Sequence, residues 1–209
     1  MKEIFKGCLA KPEVRRGVIF FLVLLVVAAG AAGLGLTKEK AQMREVRKIN
    51  TENVRPENIG CGIYELNPLR KDKHPGINSA VAEYFDGLME GETFIERYDD
   101  IHVYTKVGKY QGTYIVFAKY LMKIKDIYTE VPGLVTLYAS KDAESGKYRI
   151  DTQAPKGQEK GVVRTVTGHE DVRELLGQTE DDFQIAVESD ALLREALADL
   201  KNAYSAYAG

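Results

Sequence analysis

The chain has 209 residues, a formal net charge of −2 and a mean hydropathy of −0.27. Charged residues make up 29% of the chain and there are only two cysteines. These averages exclude a multi-spanning membrane protein, a disordered tail and a disulfide scaffold. The length allows one ordinary domain with appendages.

One block departs sharply from these averages. Residues 17–36 contain no charged or polar side chain. As a helix, a block of this length would extend about 30 Å, which matches the hydrocarbon core of a bilayer. The sequence therefore predicts a transmembrane helix over 17–36, preceded by a cytoplasmic basic tail over 1–16.

Two other readings of this block stay open. The basic tail, the apolar run and the small residues Ala29-Gly30-Ala31 also resemble a cleaved signal peptide. Arg15-Arg16 fits a twin-arginine signal only loosely, because the usual polar flanks are missing. We interpret the block as an uncleaved anchor because its apolar residues continue through Leu36.

Charge indicates how the predicted anchor is oriented. Residues 1–16 carry five basic and two acidic side chains, a net +3 that leaves −5 for the rest of the chain. Basic residues flank the block on both sides, but the short tail with Arg15 and Arg16 against the block favours an N-terminus inside the cell. We therefore expect a single-pass protein of the cell membrane, with its C-terminal domain outside the cytoplasm. An acidic exported body argues against a nucleic-acid partner and against tight docking on anionic lipid.

Residues 37–75 have the composition of a stalk and a linker. The first part, 37–50, is charged and rich in helix formers, and it would continue the membrane helix. The second part, 50–75, contains scattered prolines and glycines. The folded domain is therefore predicted over 76–209.

The pattern of the folded part predicts an α+β domain. A first amphipathic helix is expected over 77–90. Strands follow at 101–107, 113–125, 133–141 and 147–152, joined by short turns that favour an antiparallel meander. After a connector at 154–168, helices are expected at 169–176 and 180–207, with Asp190 as a possible cap inside the second.

The predicted strand 113–125 is the most informative. Alternate positions form one continuous apolar face: Tyr114, Val116, Ala118, Tyr120, Met122 and Ile124. The opposite face begins apolar and ends charged. Such a strand suits a curved antiparallel sheet with something packed into its concave side.

Several short motifs resemble a known group of proteins. They are Tyr64-Glu65-Leu66, the run 75–90, the run 98–106, Asp126-Ile127-Tyr128-Thr129 and Pro132-Gly133-Leu134. They resemble membrane-anchored proteins of unknown function from anaerobic Gram-positive bacteria that carry an NTF2-like domain. The resemblance covers about residues 60–152 and, more loosely, 170–200.

The resemblance implies a cone, in which a curved antiparallel sheet wraps around helices and often encloses a pocket. Such domains have three helices before the long strands, whereas this chain offers one. The helical region is therefore shortened, and the final helix, the stalk or a second chain would have to cover the concave face.

Candidate chemistry is sparse. Asp99-Asp100-Ile101-His102 is a tight cluster of possible ligands, which we interpret as a polar strand entry with a solvated histidine rather than a metal site. The apolar face of 113–125 carries no Asp, Glu or His, which argues against an enzyme. No cofactor or metal is predicted.

Three tyrosines are candidates for lining a ligand pocket: Tyr114, Tyr120 and Tyr138. The alternative is ordinary aromatic core packing. The sequence thus favours a membrane-anchored, extracytoplasmic NTF2-like domain that acts as a non-catalytic binding or interaction module. Its partner would be a protein, a second copy or an unidentified small molecule. The other hypotheses are a self-associating structural module, and an NTF2-like enzyme with an open cone that uses Asp100 and His102.

Overall fold

The computed structural model describes residues 56–90, 94–154 and 158–205. The predicted basic tail, the predicted transmembrane helix and residues 37–55 of the predicted stalk and linker lie outside the described residues. Within them, a 3₁₀ turn at Tyr64–Leu66 precedes five strands and four helices. The strands are β1 (Arg70–Lys71), β2 (Ile95–Val107), β3 (Thr113–Ile124), β4 (Val131–Lys141) and β5 (Tyr148–Asp151). The helices are α1 (Pro75–Met89), α2 (Gln158–Thr167), α3 (Glu170–Ser189) and α4 (Ala191–Ser205).

The strands form one antiparallel sheet in the order β1-β2-β3-β4-β5. Each strand pairs with its neighbour in sequence, which confirms the predicted meander and the α+β class. The sequence predicts about four strands, and the fifth arises because Arg70 and Lys71 pair with Thr105 and Tyr104. A two-residue strand is too short to show alternation. Residues 56–75, which the composition predicts to be linker, therefore contribute to the fold.

Strand β2 begins at Ile95, whereas the sequence pattern predicts a start at residue 101. The difference is due to a bulge within the strand. Its pairing with β3 shifts register between Asp99 and His102, and Asp100 has a φ of 49°. An extra residue in a strand reverses which later positions face the core. The alternation visible in 101–107 therefore does not extend back through the bulge, and the first half of the strand is hidden from pattern analysis.

The inner face of the sheet is the apolar face predicted for β3. Ile77, Val81 and Phe85 of α1 pack against it, together with Ala186 of α3 and Leu193 of α4. The β3 side chains buried there are Val116, Ala118, Tyr120, Met122 and Ile124. At about 25 cal/mol per Å² of apolar surface, this burial supplies the main driving force for folding.

The outer face is covered as well. Ile115 and Phe117 of β3 pack beneath Val166 of α2 and Val172 and Leu175 of α3. The predicted connector at 154–168 is thus wrong, because most of it forms α2. Gly161 and the polar residues of this segment suggest a loop, but Val162, Val163 and Val166 give the helix an apolar side that the sheet requires.

The C-terminal helices divide at Asp190. Helix α3 runs without a break through Gly177, which has open space around it, so the predicted boundary between 176 and 180 is wrong. The predicted cap is confirmed, because Asp190 Oδ1 accepts hydrogen bonds from the N–H groups of Leu192 (2.9 Å) and Leu193 (3.1 Å).

Asp190 also joins the helix break to the sheet. Its Oδ2 accepts the Thr129 N–H at 3.1 Å, from the β3–β4 loop. The backbone donors, Thr129 first and then Leu193, hold the pKa of Asp190 below its usual range. Because the pKa is lower in the folded protein than in the unfolded chain, the Asp190 carboxylate stabilises the fold at pH values above its pKa in the unfolded chain. This stabilisation is lost as the pH falls through the pKa of Asp190 in the folded protein.

No helix among the described residues combines the length and the apolar character that a membrane crossing requires.

Candidate functional site

The three tyrosines predicted to line a pocket lie on two faces of the sheet. Tyr114 and Tyr120 are on the inner face of β3. Tyr138 pairs with Ile115, an outer-face residue, and its hydroxyl donates a hydrogen bond to Glu159 of α2. Paired residues of neighbouring strands point to the same side. The structure therefore separates Tyr138 from the other two.

Tyr120 is a packing residue. It is 3% exposed, and its ring centroid lies 5.0 Å from that of Phe85 and 5.3 Å from that of Tyr98. The ring covers Gly133 on β4, where a Cβ atom would lie 2.5 Å from the Tyr120 Cζ atom. Burial raises the pKa of the Tyr120 hydroxyl far above its usual range. These contacts fit the core reading of Tyr120 better than the pocket reading.

Tyr84 of α1 adds a hydroxyl beside this aromatic cluster, with its ring centroid 5.5 Å from that of Phe85. The hydroxyl oxygen is buried and has no hydrogen-bond partner within the described part of the chain. Burial raises the pKa of Tyr84 to about 12. The phenol therefore stays protonated at neutral pH, so it can donate a hydrogen bond but cannot act as a general base.

His102 lies between two aspartates at the β2 bulge. Its Nε2 atom is 3.2 Å from Asp100 and its Nδ1 atom 3.4 Å from Asp72. The His102 side chain is 36% exposed and that of Asp100 62%. His102 and Asp100 are thus both open to solvent at the bulge, as the polar strand entry predicted from the sequence requires. Across residues 56–90, 94–154 and 158–205, no three His, Cys, Asp or Glu side chains are placed to hold a metal ion.

A buried lysine forms the centre of a polar cluster on the outer face. The Lys106 side chain is 0% exposed. Its ammonium donates to the Asn67 carbonyl (2.6 Å) and to the carboxylate of Asp171, whose two oxygens both lie 2.8 Å away. It also lies 3.1 Å from His169 Nδ1 and 5.2 Å from the ring centroid of Tyr64. We call Lys106, Asn67, His169 and Asp171 the Lys106 cluster.

The hydrogen-bond directions in this cluster follow from the lysine. An ammonium group has no acceptor, so His169 Nδ1 must accept from it, and the neutral ring carries its hydrogen on Nε2. That nitrogen donates to the Gly62 carbonyl at 3.0 Å. Asp171 also accepts the Leu69 N–H at 2.9 Å. Asn67 bonds both backbone groups of Val107, with its Oδ1 accepting at 2.8 Å and its Nδ2 donating at 2.9 Å.

The Lys106 cluster is suited to fastening segments together. The three ammonium hydrogens have three acceptors: the Asn67 carbonyl, His169 Nδ1 and the Asp171 carboxylate. No hydrogen of the ammonium is therefore left to bind a ligand. The cluster joins the segment 62–69 and the first turn of α3 to β2. We interpret it as a structural clamp.

The sequence pattern does not predict this cluster. Lysine is almost never fully buried, so a lysine on an alternating strand predicts a solvated position. The lysine bonds residues that are 39 and 65 positions away in the chain. The one local hint is Asp171 in the first turn of α3, which the helix dipole alone would explain.

Comparison of the chain with family models, with curated proteins and with solved structures gives no significant match.

Proposed function

We propose that the protein is anchored in the cell membrane by residues 17–36 and that its C-terminal domain, outside the cytoplasm, is a non-catalytic binding or interaction module. The uninterrupted apolar block supports the anchor. Arg15 and Arg16, directly before it, support the orientation. Both segments lie outside the described residues.

We further propose that the domain is NTF2-like. The long antiparallel strands β2, β3 and β4 and the packing of α1 across the inner face support this assignment, beside the motif resemblance. Among the described residues one α-helix, α1, precedes the long strands, whereas such domains have three. Ala186 and Leu193, from the C-terminal helices, cover part of the inner face in their place.

The observation that carries the proposed function is the position of the exposed apolar side chains. The inner face is packed with its own side chains, whereas Tyr128 is 91% exposed, Ile185 65% and Leu192 45%. Tyr128 directly precedes Thr129, whose N–H group bonds Asp190, and Leu192 bonds the same carboxylate. Exposed apolar side chains that lie together, as Tyr128 and Leu192 do on either side of Asp190, are typical of a contact surface for a partner.

Membrane fractionation tests the anchor. The full chain is expected to remain in the membrane fraction after an alkaline carbonate wash, and a variant lacking residues 17–36 should become soluble. If the block were a cleaved signal peptide, the mature protein would begin near residue 32 and would be soluble. Recovery of such a shortened, soluble product from the full chain would contradict the proposal.

A further inference from the structure

The chain enters the described domain at the turn between β2 and β3. The Asn58 side chain donates to the carbonyls of Gly108 (2.9 Å) and Tyr110 (2.8 Å). Its backbone N–H group donates to the carbonyl of Lys109 at 2.7 Å. The backbone N–H group of Gln111 donates to the carbonyl of Pro56 at 2.9 Å. The start of the domain is thereby fixed at one end of the sheet.

Four apolar or aromatic side chains are exposed immediately after this point. Ile59 is 99% exposed, Leu66 63%, Ile63 50% and Tyr64 41%. We call these four residues the N-terminal patch. Exposed apolar residues are ordinary when single, but a group of them within eight positions indicates a contact surface.

The N-terminal patch is held in a defined shape. Gly60 adopts a φ of 78°, and a Cβ atom there would lie 2.6 Å from Leu66 Cδ1, so the glycine allows the turn and the close contact. The Ile63 N–H group donates to Gly60 at 2.9 Å. The Lys106 cluster fastens the same segment to β2 through His169 and the carbonyl of Gly62. The patch is therefore a fixed part of the domain surface.

The length of chain after the predicted anchor limits how far this patch can lie from the membrane. Nineteen residues, 37–55, separate the predicted anchor from Pro56. Even fully extended they would reach about 65 Å, at roughly 3.3–3.6 Å per residue. A short tether gives the patch a high local concentration at the bilayer, so a weak contact is enough.

Tyr128 lies at the other end of the sheet. It follows β3, which starts at Thr113 beside the entry turn and ends at Ile124. This strand is roughly 37 Å long at about 3.4 Å per residue. The two exposed apolar groups therefore face opposite ends of the domain, and a domain that rests on one of them directs the other away.

We infer that the N-terminal patch lies against the outer surface of the membrane that holds the anchor. Aliphatic side chains with a neighbouring tyrosine match the chemistry of the headgroup region. Burial raises the pKa of the Tyr64 hydroxyl, and the nearby carboxylates Asp171, Glu170, Glu174 and Glu65 raise it further. These acidic neighbours mean that the patch itself does not attract anionic lipid. The contact is apolar and forms on zwitterionic phosphatidylcholine. This inference rests on the proposed anchoring.

The test uses two matched single-cysteine variants of the full chain. Cys8→Ser and Cys61→Ser remove the native thiols, and Ile59→Cys or Tyr128→Cys introduces one at a position more than 90% exposed. Each variant is labelled with a fluorophore and reconstituted into phosphatidylcholine vesicles with brominated acyl chains. We expect at least twofold quenching at residue 59 and none at residue 128. Ile63→Ser with Leu66→Ser should reduce the quenching at residue 59.

The outcomes separate this inference from the proposal beneath it. If the protein floats with the vesicles but residue 59 is not quenched, the inference is overturned and the anchor stands. Equal quenching at both positions would also overturn it. If the label at residue 59 is not quenched by the brominated chains but becomes inaccessible to solvent at high protein density, the patch binds a second copy of the chain. That result would also overturn the inference. A protein that fails to float would contradict the proposed anchor itself.

Discussion

Replacing Lys106 with methionine is expected to lower the free energy of unfolding by about 3–5 kcal/mol. Methionine fills much of the space of the lysine stem but leaves the Asp171 carboxylate, the Asn67 carbonyl and His169 Nδ1 without their shared donor. An uncompensated charge that is largely removed from water accounts for most of this cost. Urea unfolding followed by circular dichroism measures the effect.

The chain offers a matched control on the same face of the sheet. Lys119 of β3 bonds Asp182 of α3 at 2.7 Å, but its side chain is 24% exposed and that of Asp182 49%. Lys119→Met should therefore cost about 0–1 kcal/mol. Adding Asp171→Asn to Lys106→Met should recover part of the loss, because the amide oxygen can still accept from Leu69 and the buried charge is gone. Similar losses for Lys106→Met and Lys119→Met would contradict the structural clamp.

The regular part of the fold could be predicted from the sequence. The apolar face of β3 repeats with a period of two over twelve residues, and the turns beside β3 and β4 carry glycine, proline and aspartate. Both signals are local, so they identify the meander. Helix α1 follows from a third local signal, the helical spacing of its apolar residues Ile77, Val81 and Phe85. Asp190 was also identifiable, since a short polar side chain before an apolar helical stripe is typical of a cap.

The elements that the sequence misses depend on distant contacts. Strand β1 exists only because Arg70 and Lys71 reach Thr105 and Tyr104. The start of β2 is hidden by its bulge at Asp100. Helix α2 is weakly apolar on its own and is stabilised by the outer face that it covers.

The residues of the candidate site also fall into two groups, those whose position the sequence predicts and those whose position depends on distant contacts. The placement of Tyr114 and Tyr120 on one face follows from alternation, and so does the position of Tyr138 on the other, once the pairing of β3 with β4 is known. That register depends on the turn between the strands, which alternation alone does not determine. The burial of Lys106 depends on Asp171 and His169 of a later segment, so no local pattern predicts it.

Replacing Tyr120 with alanine is expected to cost about 3–5 kcal/mol, the range of other large-to-alanine changes in cores. The substitution would leave a cavity between Phe85, Tyr98 and Gly133. Thermal and urea unfolding measure the loss. Tyr128→Ala is the control, since that side chain is 91% exposed and its removal should change stability by about 0.5 kcal/mol or less.

The stability loss of Tyr120→Ala, compared with that of Tyr128→Ala, shows whether Tyr120 is packed in the core or lines a ligand pocket. A side chain that only lines an open pocket has few packed neighbours to lose, so its truncation would leave stability close to that of the unsubstituted protein. Gly133→Ala provides an independent check, because the new Cβ atom would displace the Tyr120 ring. Normal stability for both variants would show that the inner face is not packed as described and would reopen the ligand-pocket hypothesis.

The central claim is that a folded, acidic domain is held on the outer side of a membrane by an uncleaved N-terminal anchor. It is tested most directly by the location of the C-terminus in bacterial cells. Alkaline phosphatase, which is active only outside the cytoplasm, is fused after Gly209 in one strain, and green fluorescent protein, which is active inside, in another. We predict phosphatase activity that remains with the membranes and no fluorescence; fluorescence without phosphatase activity would contradict the claim.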